Sequence, residues 1–174
     1  MKTIKTISLI LFVSLSLLAC KSDDDGGDDP QGGEGNFTAK VDGNSYKGMS
    51  GTVVAEVSGN GAGQTLAVSG GTSKSENLQV IIIGFDGEGT YQLNFTNIGT
   101  YSYLPDPNNP DPNSVVVYTT VGDAQNNYGE LKVSSYDGDS VKGTFSFTGY
   151  NLDDLNDTVA VTEGSFNIKV NKKN

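Results

Sequence analysis

From Asn36 onward, apolar and polar positions alternate with a period of two, the pattern of strands that bury one face. Phe37, Ala39 and Val41 fall on one side and Thr38 and Lys40 on the other, and Asp42, Gly43 and Asn44 supply turn chemistry before Tyr46. Runs of the same kind follow at 52–57, 64–68, 78–85, 90–95, 115–120, 131–136, 141–148, 158–161 and 165–170. With 37–41 they predict about ten strands. The segments between them, at 59–63, 86–89 and 137–139, are built from glycine, asparagine and aspartate, residues that tolerate positive φ. No apolar run has the i, i+3, i+4 spacing and the length of a helix.

Two details shape the expected architecture. The run Leu-Gln-Val-Ile-Ile-Ile-Gly-Phe at 78–85 is apolar at both parities, which predicts a central strand covered on both faces. Gly-Thr-Phe-Ser-Phe from Gly143 and Gly-Ser-Phe-Asn-Ile from Gly164 share one form, which predicts neighbouring strands that bend at glycine. The fold class read from these patterns is all-β, an antiparallel β-sandwich or flattened barrel whose last four strands are the most regular.

Ahead of this region the pattern is different. Lys2 and Lys5 form a basic start, 7–18 is an apolar run broken only by serines, and Ala19 follows, the layout of an export signal. A spanning helix needs about 20 mostly apolar residues, more than this run offers before charge begins. Residues 21–35 contain no apolar side chain and read as an acidic, glycine-rich tether that cannot build a core. The expected organisation is a signal peptide at 1–19, a modified cysteine and tether at 20–35, and one β domain at 36–174.

Leu17-Leu18-Ala19-Cys20 resembles the lipobox of bacterial lipoproteins. The resemblance implies that the chain is cut before Cys20 and that its thiol carries lipid. As the sole cysteine, Cys20 has no internal disulfide partner, and two or more acyl chains anchor a protein stably where one does not. Lys21, Ser22, Asp23, Asp24 and Asp25 resemble the surface-export tag of Bacteroidetes-type lipoproteins, with a serine between the lysine and the acids; the alternative is a solvated spacer. The stretches FTAKVDG, GTFSFTGYN and VTEGSFNIKV are similar to a family of small Bacteroidetes-type lipoproteins of uncharacterised function. Together these resemblances imply a protein lipid-anchored in the outer membrane and exposed at the cell surface.

Charge agrees with an outward-facing, solvated protein. Removal of 1–19 leaves nine lysines against 21 acids, a net of −12, which argues against nucleic acid and against anionic headgroups as partners. The partners expected are a membrane, through the lipid, and a glycan or surface protein.

Candidate chemistry is narrowed by what the chain lacks. It contains no histidine, arginine or tryptophan, which removes Ser-His-Asp and Cys-His catalysis, histidine-bearing zinc sites and bidentate guanidinium clamps. Paired carboxylates at Asp86/Glu88, Asp137/Asp139 and Asp153/Asp154 leave a glycan hydrolase open, but all sit in turn segments, where acids are usually solvated. The expectation is a non-enzymatic binding or structural domain without a cofactor, a carbohydrate-binding module of an uptake system being one form of it.

Three local sites are candidates. The proline-rich segment 104–113 offers Asp106, Asn108, Asn109, Asp111 and Asn113 as oxygen ligands for calcium, although Pro110 and a missing closing glutamate depart from the EF-hand pattern, and a rigid loop without an ion is the alternative. Tyr101 and Tyr103 share one strand face and, with Tyr118, could form an aromatic contact surface; otherwise they close the core with their hydroxyls wet. Ser140 and Thr158, in Asp-Ser-Val and Asp-Thr-Val, resemble acceptors of O-glycosylation in Bacteroidetes-type exported proteins.

Overall fold

The computed structural model describes residues 35–121 and 128–173, so the readings of the signal peptide, Cys20, the 21–25 tag and the tether lie outside the described residues. Eleven strands are present: β1 (Asn36–Val41), β2 (Asn44–Lys47), β3 (Val54–Ser58), β4 (Thr65–Gly71), β5 (Glu76–Ile83), β6 (Gly89–Leu93), β7 (Ile98–Tyr103), β8 (Val116–Thr119), β9 (Gly129–Tyr136), β10 (Ser140–Asn151) and β11 (Thr158–Lys173). Short 3-10 turns occur at Gly61–Gly63 and Pro112–Ser114, and among the described residues there is no α-helix.

The strands form one sheet in the order β2-β1-β11-β3-β4-β5-β7-β8-β10-β9-β6, and a further pairing of β10 with β11 closes it on itself. The closed circuit runs β11-β3-β4-β5-β7-β8-β10, with β1 and β2 attached along β11 and β9 and β6 along β10. A flattened barrel results, as the alternation predicts. One pairing departs from the antiparallel expectation: β11 runs parallel to β3, with Val170 opposite Ala55. The chain's last strand closes the barrel beside β3, from the same direction, and alternation carries no information about strand direction.

Strand count also differs. β2 and β7, the strand of Tyr101 and Tyr103, lie outside the ten alternating runs, whereas 158–161 and 165–170 are one strand, β11, interrupted by a bulge. Glu163 adopts a left-handed φ of 52°, and the register against both β1 and β10 shifts beside it. The last strands are therefore the longest but not the most regular, since the register shifts fall in the β1–β11, β10–β11 and β9–β10 pairs. Bulges of this kind add the twist that long strands need to wrap a barrel.

β5 is central, between β4 and β7, but it is covered on one face only. Leu78, Val80 and Ile82 are fully buried, whereas Ile81 is half-buried and Ile83 is 54% exposed. Among the described residues no second layer covers this strand, so Ile83 meets solvent and Ile81 is only partly covered.

The core fills the barrel. Phe37 stacks on Phe145 at 5.2 Å between ring centroids, and Phe145 lies 6.4 Å from Phe166. β10 and β11 pair as their shared glycine pattern predicts, with Gly143 opposite Phe166 and Gly164 opposite Phe145. Each glycine makes room for the phenylalanine across from it: a Cβ at either position would come within 2.6 Å of the opposing ring. Inward positions of β1, β2, β5, β7, β8 and β11 carry this core to one end of the barrel, where polar side chains replace aliphatic ones.

Candidate functional site

The open end of the barrel is a cleft of about 230 Å³ lined by Tyr46, Tyr101, Tyr103, Tyr118 and Glu76, with Val41 and Val159 beneath and Asp42, Asn44, Ser45 and Lys74 around it. Strand alternation places each of these tyrosines. Tyr101 and Tyr103 are two residues apart on β7 and so share its inward face, and the β7–β8 register sets Tyr118 opposite Tyr101. Tyr46 enters from β2. Glu76 shares its parity with the buried Leu78, Val80 and Ile82, so its carboxylate also points inward, at the end of the strand where the core gives way to solvent.

Three tyrosine rings form a row. The Tyr101 and Tyr103 centroids lie 5.8 Å apart with planes inclined by 34°, and those of Tyr101 and Tyr118 lie 6.3 Å apart at 31°. Tyr101 and Tyr118 are almost wholly buried and Tyr103 is half-buried, so Tyr103 presents most of the open ring surface. Behind Tyr118, Gly149 leaves space that a Cβ would take to 2.9 Å from the Tyr118 Cβ.

The phenols are held by hydrogen bonds. Tyr46 Oη donates to the Gly70 carbonyl and accepts from the Leu78 N–H at 3.0 Å, which ties β2 across to β4 and β5. Tyr101 Oη donates to Glu76 Oε1 at 3.2 Å, while Thr72 Oγ1 donates to Glu76 Oε2 at 2.7 Å. Tyr118 Oη donates to Asp157 Oδ2 at 2.9 Å, and Asn151 Nδ2 donates to the same oxygen at 3.1 Å. Burial raises the pKa of all three phenols. The Glu76 charge adds to the effect at Tyr46 and Tyr101, and the hydrogen bond to Asp157 helps push Tyr118 up to about 12.

The structure thus brings Tyr101, Tyr103 and Tyr118 together and adds Tyr46 and Glu76, which sequence reasoning missed. Glu76 had a legible signal, an acid in phase with inward aliphatic residues. Tyr46 had little, being the only buried residue of a four-residue strand. Tyr101 and Tyr118 belong to the core, Tyr103 packs against it, and all three line the cleft.

The 104–113 loop does not join this cleft. Its carboxylates cap their own turns: Asp106 Oδ1 accepts from the N–H of Asn108 at 3.0 Å and of Asn109 at 3.3 Å, and Asp111 Oδ1 accepts from Asn113 N–H and Nδ2, both at 2.9 Å. Among the described residues, no three His, Cys, Asp or Glu side chains form a group that could hold a metal. A second groove of about 330 Å³, between 113–117 and 151–153, carries the exposed Val115, Val117 and Leu152.

Among the paired acids, the carboxylates of Asp137 and Asp154 cap their own turns. Asp137 Oδ1 accepts from the N–H of Asp139 and of Ser140, which holds its pKa below the ordinary value, and Asp154 Oδ1 accepts from Asn156 N–H at 3.0 Å. Asp86 donates its N–H to Tyr91 Oη at 3.1 Å, in the turn it shares with Glu88. Asp153 lies in the 152–157 turn, where its N–H donates to Asn151 Oδ1. Ser140 opens β10 with its hydroxyl against Asp137, and Thr158 is exposed at the start of β11.

No curated protein matches this chain. The family described as "Domain of unknown function (DUF6252)" matches residues 33–169, which span all of β1 to β10 and most of β11. The chain belongs to that family.

Proposed function

We propose that this chain is an exported lipoprotein, anchored in the outer membrane through acylated Cys20 and displayed at the cell surface by the 21–25 segment, whose β domain binds a small hydroxyl-rich ligand such as a sugar residue without catalysing a reaction. The observation that carries the binding role is the barrel mouth, where a row of tyrosine rings meets fixed polar groups at the end of a rigid wall. Ligand sites favour such mouths, and an aromatic ring buries ligand surface at low entropic cost. The non-catalytic reading is supported by the carboxylates of Asp137 and Asp154, which are engaged in their own turns. The anchor rests on Leu17-Leu18-Ala19-Cys20, and sugar modification at Ser140 and Thr158 would fit the same surface location.

A glycan array probed with the chain and with its Tyr103→Ala variant tests binding. Capture of a glycan by the parent, lost in a variant that keeps its strand signal in circular dichroism, is the expected result. Failure of the parent to capture any glycan, or equal capture by both proteins, overturns the assignment of the mouth. In cells, Cys20→Ala should abolish fatty-acid labelling. Alanines at 21–25 should keep labelling but protect the domain from added protease; shaving as ready as in the parent would reduce the segment to a spacer.

A further inference from the structure

We infer that the ligand of the barrel mouth carries an ammonium group, so that the sugar it takes is an amino sugar; this rests on the reading of the mouth as a binding site. A phenol has one hydrogen to donate, and three of the four tyrosines have spent theirs on groups of the protein: Tyr46 on Gly70, Tyr101 on Glu76 and Tyr118 on Asp157. Their raised pKa values keep those hydrogens in place. What the mouth still offers, beside the hydroxyls of Tyr103 and Ser45 and the Lys74 ammonium, is lone pairs on these phenols, the remaining lone pairs of Glu76 and of Asp42, whose Oδ1 already accepts from the Ala160 N–H at 2.8 Å, and the negative faces of the rings. Such a surface complements a compact donor with positive charge, which gains hydrogen bonds to the carboxylates and attraction from the aromatic faces together.

Two further observations narrow the class. Lys74 is the one cation of the lining, on the exposed 72–75 turn, against Glu76 and Asp42 in the lining itself and Asp157 bound to Tyr118. An anionic ligand would meet these carboxylates with Lys74 as the charged donor of the lining, beside the neutral donors of Asn44, Ser45 and Tyr103. The cleft, at about 230 Å³, is also smaller than drug-sized sites, which run roughly 300–1,000 Å³. It therefore admits one sugar ring or a short amine rather than an oligosaccharide chain.

Titration of the full chain with glucosamine, glucose, N-acetylglucosamine and n-butylammonium separates the two layers of the reading. The inference expects glucosamine to bind about tenfold more tightly than glucose or N-acetylglucosamine, the factor that one cation–π contact of ~1.4 kcal/mol supplies. Glu76→Gln should remove most of that preference, and Lys74→Ala, which deletes the competing cation, should strengthen it. Equal binding of glucose and glucosamine overturns the ammonium inference and leaves the sugar site standing. Binding of n-butylammonium without any sugar sustains the ammonium inference and overturns the sugar. Loss of binding in Lys74→Ala marks an anion site and overturns the inference, as does the absence of binding by all four probes. If Glu76→Gln does not fold, the ratio of glucosamine to glucose on the parent and the direction of the Lys74→Ala effect still decide.

Discussion

At Gly164 a single methyl group would stand 2.4 Å from the Phe145 carbonyl oxygen and 2.6 Å from its ring. The near contact is backbone, which cannot swing aside as a side chain can, so Gly164→Ala must spread β10 from β11 and should cost about 1–3 kcal/mol, the usual range for an overfilled core. Chemical denaturation measures this, and a loss below about 0.5 kcal/mol would mean that the Phe145 contact is looser than it stands. Gly143 against Phe166 repeats the device one step along the same pair. The repeated Gly-Ser/Thr-Phe pattern was visible in the sequence, and so was the neighbourhood of the two strands. Its reason was not, because a glycine that bends a strand and a glycine that accepts a ring from the opposite strand look alike in one dimension.

At the scale of the element, β11 does three jobs along 16 residues: it pairs with β10 on one side and, on the other, first with β1 and then, in parallel, with β3. The bulge at Glu163 lets one strand serve both partners by changing its twist midway. Removal of residues 170–174 should free the β11-facing edge of β3, whose Ala55 to Ser58 partners lie at Val170 to Lys173, while its pairing with β4 remains. At about 1 kcal/mol net for each of a few lost backbone bonds, the domain should lose roughly 2–4 kcal/mol and the β3 amides that face β11 their protection from hydrogen exchange. Unchanged protection in β3 would show that closure by β10 and β11 suffices without the parallel pair. The sequence shows two runs here because Glu163 and Gly164 break the alternation, although the backbone continues as one strand.

For the whole molecule, the buried phenols link stability to alkaline pH. Tyr46, Tyr101 and Tyr118 ionise later in the folded protein than in the unfolded chain, where tyrosine has its ordinary value of about 10. Above that value the unfolded chain releases protons that the native state retains, so their contribution to stability is intact below about pH 10 and falls as pH rises toward and through the folded values. Melting temperature should therefore decline from about pH 10 upward, and tyrosinate absorbance should show Tyr118 ionising at about 12, a step that Tyr118→Phe removes. A melting temperature flat across this range would contradict the burial of the cluster.

The all-β class, most strand positions, the β10–β11 neighbourhood and the shared face of Tyr101 and Tyr103 were determined by the sequence alone, because strand periodicity and turn chemistry are local properties of consecutive residues. The resemblance of its first 25 residues to a lipoprotein leader is likewise a property of linear order. Only the tertiary structure decided the parallel closure of β11 on β3, the bare outer face of β5, and the meeting of Tyr46 and Glu76 with the β7 and β8 tyrosines. Each of these depends on which strand lies beside which. That choice is made by core packing between residues as distant as Phe37 and Phe145, and by hydrogen bonds such as Tyr118 to Asp157, whose partners no local pattern names. The mouth of the barrel exists only once the circuit has closed.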